Sequence, residues 1–225
     1  MAPGSVRQSR LAASKNVRTP CPVATKCHLR LKSIMNCSKA RTRASLLVAA
    51  ALLVSIPANA AKPLKSGDRA LDFELKTLDD QSVRLRDLLG KSNVVLIVLR
   101  GWPGYQCPIC TVQVQDYVRA ATGFAQAKAR VVMVYPGPAD KLKEHAAEFL
   151  QDKQWPKEFV FLLDPDYTMV NAYGLKWSAP SETAYPSTFV LDQNGLVRFA
   201  RVSGSHGNRT KAGEILPIAQ QLAPP

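Results

Sequence analysis

Acidic residues are missing from the first sixty positions of this 225-residue chain, which carry ten Lys/Arg and no Asp or Glu. The other 165 residues hold twenty Lys/Arg against seventeen Asp/Glu, so most of the formal charge of +13 sits in that one segment. A basic excess confined to a leader-like stretch does not argue for nucleic-acid binding, and no basic patch with interleaved aromatics follows it. Long apolar runs are missing as well. The stretch Ala44 to Pro57 has fourteen residues, short of the roughly 20 that a membrane-spanning helix needs. Cysteine is scarce beyond the leader. Cys21, Cys27 and Cys37 fall within the first sixty positions, which leaves Cys107 and Cys110 for the rest of the chain. Two thiols three residues apart make no disulfide scaffold and would close a loop too small to stabilise a fold.

The first sixty residues have the layout of an export signal. Lys39, Arg41 and Arg43 precede the apolar stretch, and Ala58-Asn59-Ala60 supplies a small-x-small cleavage site before Ala61. The stretch before that core is long for such a signal, and a start at Met35 would give a leader of ordinary length. The expectation is a targeting segment over 1–60, a single domain over 61–225, an exported (periplasmic or extracellular) protein, and no stable membrane insertion once the leader is removed.

Within that domain the order of elements points to a three-layer α/β sandwich with a central mixed sheet. A short hairpin over Asp72–Leu75 and Ser82–Leu85 comes first, then one helical turn ended by Gly90. Val94 to Leu99 is apolar throughout, as a strand covered on both faces should be. A helical pattern then runs to about Ala127, with Cys110, Val114, Tyr117, Ala121 and Phe124 on its buried stripe. Further strands are expected at Val131–Tyr135 and Phe159–Leu163, separated by a helix over about Ala139–Asp152. Asp164-Pro165-Asp166 opens a short helix that Gly174 closes. Asp192-Gln193-Asn194-Gly195 turns a hairpin between Ser187–Leu191 and Leu196–Val202, and a last helix covers roughly Lys211–Leu222.

Function concentrates at Arg100-Gly101-Trp102-Pro103-Gly104-Tyr105-Gln106-Cys107-Pro108-Ile109-Cys110, where the apolar strand meets the helix. Thiolate is the reactive form of cysteine, and the free N–H groups at a helix start favour a negative sulfur. Pro108 suits the first helical position, where its missing N–H leaves no bond unmade. Cys110 lies one turn on and faces the same way. These features point to reversible oxidation of the pair, with Cys107 at the exposed lip and Cys110 in the buried stripe. Zinc would need two further ligands, for which His145 and His206 are the imidazoles beyond the leader, and haem attachment would need His where Thr111 stands. No metal or other cofactor is expected.

Beside this reading, the chain resembles the peroxiredoxin/alkyl hydroperoxide reductase (redoxin) branch of the thioredoxin superfamily. The matching residues are Asp72-Phe73-x-Leu75, the strand with Arg100-Gly101, Cys107-Pro108-Ile109-Cys110, Leu163-Asp164-Pro165, Ala172-Tyr173-Gly174, and Ser187-Thr188-Phe189-Val190-Leu191-Asp192-x-Asn194-Gly195. The resemblance implies a thioredoxin-like fold and a hydroperoxide substrate. It makes Cys107 the attacking cysteine and Cys110 the resolving one, with a thioredoxin-like reductant to reopen their disulfide. Typical members place Pro seven and Thr or Ser three residues before the cysteine, and Arg two before the late Thr-Phe. Here those positions are Arg100, Gly104 and Pro186. Pro186 is instead similar to the proline that thioredoxin-type oxidoreductases set beside their cysteines, which makes disulfide exchange the alternative activity. Arg100, Trp102, Tyr105 and Pro186 are therefore candidate substrate-binding or activating residues. Trp102 and Tyr105 could equally pack on the sheet end, and Arg100 could equally be a cap or a surface charge. Copper carriage by the two thiols and His206 is the non-enzymatic rival, against which His206 reads as a solvated loop residue. Cleavage after Ala60 predicts an exported protein whose intact mass starts at Ala61. A mass that retained Met35 or any leader cysteine would contradict it.

Overall fold

Every residue of the strand that delivers the cysteine motif is buried, from Asn93 to Val98. Its alternation sends Val95 and Ile97 into one core and Val94, Leu96 and Val98 into the other. A strand apolar on both faces must lie inside a sheet with a layer of helices on each side. The computed structural model, which describes residues 61–103 and 106–223, has that architecture. The leader and Tyr105 lie outside the described residues.

The elements are β1 (Glu74–Lys76), β2 (Ser82–Arg84), α1 (Leu85–Leu88), β3 (Asn93–Val98), α2 (Pro108–Arg119), α3 (Ala121–Gln126), β4 (Ala129–Gly137), α4 (Leu142–Leu150), β5 (Val160–Pro165), α5 (Thr168–Ala172), β6 (Ser187–Leu191), β7 (Val197–Val202) and α6 (Ala212–Gln221). They build a seven-stranded sheet of order β2-β1-β5-β4-β3-β6-β7. β3, β4 and β5 run parallel, while β6 pairs antiparallel with both β3 and β7, so the sheet is mixed. Residues of α2, α3, α4 and α6 share a core on one face; Leu85 of α1 with Met169 and Val170 of α5 sit in the core of the other. This is a thioredoxin-like three-layer sandwich. Among the described residues, no helix is long and apolar enough to cross a membrane.

The expected helix to Ala127 is two helices. Ala120 leaves helical geometry at φ −92° and ψ 5°, and the bend lets α3 lie on α6, where Gly123 leaves room for the Leu216 side chain. Tyr117 still stacks on Phe124 across the bend, with centroids 5.5 Å apart, so the apolar stripe survives although the helix does not. The turn residues behave as their chemistry requires. Buried Asp164 accepts from the N–H groups of Met169 and Val170, each at 2.9 Å, and so starts α5. Asp192 accepts from Asn194 and Leu196 at the β6–β7 turn.

One glycine aims the site. Gly101 follows β3 and Arg100, takes φ +69°, and brings the chain so close to β4 that an added Cβ would strike the Pro136 carbonyl. The next amide, Trp102 N, donates to that same carbonyl at 3.3 Å. Gly101→Ala combines a left-handed backbone with a clash, and should cost about 2–4 kcal/mol. A denaturation midpoint equal to the parent's would show that the turn can relax.

Candidate active site

Cys107 is the N-cap of α2, and the N–H of Cys110 donates to its sulfur at 3.4 Å. Pro108 occupies the first turn, where it leaves no donor unmet. Both cysteines are free thiols. Cys107 is only 5% exposed and Cys110 1%, so the expected contrast between an exposed lip and a buried stripe is not what separates them. Hydrogen bonding and charge separate them instead. The Cys110 side chain donates to Cys107 and, although burial opposes ionisation, the Cys110 N–H and the charges of Arg209 and Arg100 help bring Cys107 down to about 5. Burial, and the same hydrogen bond seen from its donor, push Cys110 well above the ordinary thiol range. One sulfur is therefore a thiolate at neutral pH, and its neighbour keeps a proton.

Arg209 has no place among the candidates from the sequence, yet it touches both sulfurs. Its Nη1 lies 3.4 Å from Cys110 Sγ and its Nη2 lies 3.6 Å from Cys107 Sγ. Nη1 also donates to Gln113 Oε1 at 3.2 Å, and Nε donates to the His206 carbonyl at 2.8 Å. It comes from the loop between β7 and α6, about a hundred residues along the chain from the cysteines. Among the described residues no carboxylate lies within ion-pair distance of this guanidinium. The sequence does contain one usable signal, a single Arg in the Gly/Ser/His-rich loop before α6. Nothing in periodicity or spacing aims that residue at Cys107.

The residues chosen from the sequence divide. Arg100 is buried, and its Nε meets Glu182 Oε2 at 2.5 Å while Nη2 meets the Ser181 carbonyl at 2.6 Å. Nε and Nη2 are thus engaged away from the sulfurs, while the Arg100 backbone N–H bonds toward Cys110 and the charge still favours the Cys107 thiolate. Trp102 packs against the core, with its ring 4.0 Å from that of His145. Pro186 is buried directly before β6, one step beyond the Val98–Ser187 pair of the β3–β6 register, at the end of the sheet where Arg100 begins the motif. Gln106 accepts from Tyr135 OH at 2.8 Å and donates to the His145 carbonyl at 2.7 Å, which fixes the residue before Cys107. His206 lies with Nε2 2.8 Å from Glu182 Oε1, so the third copper ligand of the rival reading is engaged by a carboxylate. Among the described residues, no group of three or more His, Cys, Asp or Glu is gathered to hold a metal ion.

A groove of about 380 Å³ runs beside the start of α2, between Ile109, Val112 and Gln113 on one side and residues 207–211 on the other. Arg209 and Gln113 belong to its wall, so it leads from solvent to the guanidinium that covers the thiols. Val112 is 67% exposed, and Ile109 is exposed beside it.

The AhpC/TSA family model matches residues 66–200, more than half of the chain. The chain belongs to the AhpC/TSA family. It is similar to peroxiredoxin Bcp of Bacillus subtilis, 28% identical over 138 residues, covering 59% of this chain and 81% of that protein. A Mycobacterium tuberculosis protein assigned as a peroxiredoxin is 30% identical over 143 residues, covering 61% and 85%. Among solved structures, a Chlorobium tepidum protein assigned as a thiol:disulfide interchange protein superposes with a TM-score of 0.51 at 27% identity, covering 71% of this chain and 97% of that one. Membership of the AhpC/TSA family and the paired thiols make this chain a thiol-based oxidoreductase of the thioredoxin superfamily.

For an AhpC/TSA-family thiol, ionisation sets reactivity. With its pKa lowered to about 5, Cys107 is thiolate above that pH and loses its charge as pH falls through it. Alkylation of the reduced protein should label Cys107 at a constant rate from about pH 8 to about pH 6 and at half that rate near the pKa. Cys110 should stay unlabelled at neutral pH. Preferential labelling of Cys110 would reverse the roles.

Proposed function

We propose that this protein reduces hydroperoxides through a Cys107/Cys110 dithiol–disulfide cycle. The observation that carries the proposal is the Arg209 guanidinium across both sulfurs, beside a Cys107 held as thiolate. The Cys107 thiolate attacks one oxygen of the O–O bond. Its electron pair forms S–O, the O–O bond breaks, and the departing alkoxide takes up a proton to leave as alcohol. Cys107 is then a sulfenic acid. The Cys110 sulfur displaces its hydroxyl, which leaves as water with the Cys110 proton, and the two sulfurs become a disulfide. A thioredoxin-like dithiol reductant then restores both thiols and is itself oxidised to a disulfide.

In this scheme Arg209 supplies positive charge and N–H donors at the peroxide, so the guanidinium that typical members carry at the Pro186 position comes instead from the loop between β7 and α6. The groove walls of Ile109 and Val112 suit the alkyl part of an organic hydroperoxide. Export, inferred from residues 1–60, would place this activity outside the cytoplasm.

A second reading, disulfide exchange with a protein partner, is favoured by Pro186 at the sheet end and by an accessory thiol kept protonated at Cys110. Two variants separate the readings. Removal of preorganised donors costs a reaction of this kind about a hundredfold or more, so Arg209→Met should slow single-turnover oxidation by peroxide by about that factor. Pro186→Thr should impair reduction of a protein disulfide while slowing the peroxide reaction far less than Arg209→Met does. A parent that reduces protein disulfides rapidly but reacts with peroxide no faster than a free thiolate would make exchange the function.

A further inference from the structure

The guanidinium over the thiols is itself held from behind. Arg209 reaches the sulfurs from a loop whose base is tied by Ser203: its N–H donates to the Pro186 carbonyl at 2.9 Å, and its hydroxyl, with one proton to give, lies within hydrogen-bond reach of the Ser205 and Gly207 carbonyls. The tip is tied elsewhere. The His206 carbonyl accepts from Arg209 Nε at 2.8 Å, and the His206 ring meets Glu182 Oε1 at 2.8 Å. The ring also packs on Trp177 at 5.0 Å, and Trp177 stacks on Tyr185 at 4.9 Å. The other oxygen of Glu182 is fixed by Arg100 at 2.5 Å, with both side chains nearly buried, at 10% and 11% exposure. Burial alone would raise the Glu182 pKa, but its bonds to Arg100 and His206 outweigh that and hold it below the usual carboxylate range.

A continuous chain of contacts therefore runs Arg100–Glu182–His206–Arg209–thiols. From this chain we infer that Glu182 and His206 are positioning residues, which fix the 203–209 loop so that Arg209 lies across Cys107 and Cys110. Neither touches a sulfur. Their effect on chemistry passes through the guanidinium, which a loop of small residues would otherwise leave free to turn toward solvent. Arg100 serves the same end as the anchor of Glu182, and adds a smaller charge contribution of its own.

The inference rests on Cys107 being the reacting thiolate but not on which oxidant it meets, so its test reads the thiol itself. The Cys107 titration, followed by thiolate absorbance and by alkylation rate against pH, is measured in Arg209→Met, His206→Ala, His206→Gln and Glu182→Gln. Loss of an opposite charge a few ångströms away raises a thiol pKa by about one unit or more, so Arg209→Met should cut the alkylation rate below the pKa about tenfold. His206→Ala should reproduce at least half of that shift, and His206→Gln, which can still donate to Glu182, should return the titration most of the way to the parent's. In the Arg209→Met background, His206→Ala should add nothing. Glu182→Gln should shift the titration in the same direction. Because it leaves Arg100 buried without its counter-charge it can also destabilise the fold, so the His206 pair carries the decision. An unshifted titration in His206→Ala, or an equal further shift in the Arg209→Met background, would overturn the inference. A slow peroxide reaction with the expected titrations would overturn only the peroxidase reading.

Discussion

A negative sulfur in a pocket that leaves Cys107 only 5% exposed has lost most of its water, and every other feature of the site follows from replacing that water. Desolvation alone would drive the thiol pKa upward. Three groups reverse it: the Cys110 thiol, the Cys110 backbone N–H and the Arg209 guanidinium, with the Arg100 charge a smaller contribution. The first two come from the helix start and arrive together once Pro108 begins α2. The third has to be brought from the far end of the chain. The sheet does this: β3 delivers the motif, β6 lies beside β3 and β7 beside β6, so the loop leaving β7 is carried to the cysteines' end of the domain. The same buried environment gives the pair its division of labour, because the hydrogen bond that stabilises the Cys107 anion keeps the proton on Cys110.

Much of the scaffold could be read before the structure because it rests on local chemistry. An unbroken apolar run forced a doubly covered strand, Asp192 and Gly195 forced a turn, and Cys-Pro-x-Cys forced a helix start. What could not be read was distance-dependent. The continuous stripe from Cys110 to Phe124 hid the bend at Ala120, because both helices keep the same apolar face inward and only the pairing of α3 with α6 distinguishes them. Burial of Cys107 was equally hidden. Periodicity gives the face of a helix, but the first turn is also covered by a distant loop that no period reports.

Arg100 and Arg209 show the same limit from opposite sides. Arg100 drew attention because it stands seven residues before Cys107, where typical family members have proline. It reads from the sequence as a charge near the thiol or as a cap or surface charge; its guanidinium is buried against Glu182 and Ser181, and its charge still favours the Cys107 thiolate. Arg209 drew none, since its loop carries no motif and its neighbours are Ser, Gly, His and Asn. A loop arginine beside a buried threonine (Thr210, bonded to Tyr117 and Thr188) is a fold constraint in the sequence and a functional one only in space.

Placing the guanidinium on a loop instead of a strand changes what controls it. A strand residue is fixed by the sheet ladder, whose bonds form with the fold and do not respond to the site. The 203–209 loop is fixed by side chains, one of which is an imidazole 46% exposed to solvent. When Cys107 and Cys110 join as a disulfide, Arg209 loses the negative sulfur that attracts it and keeps only Gln113 and the His206 carbonyl. Its hold on the loop should therefore be weakest in the oxidised protein, when a reductant must reach the sulfurs it had covered. In the proposed cycle the contacts that would activate Cys107 toward an oxidant and those that would shield the pair from a reductant are thus the same contacts, and oxidation itself would remove the electrostatic part of them.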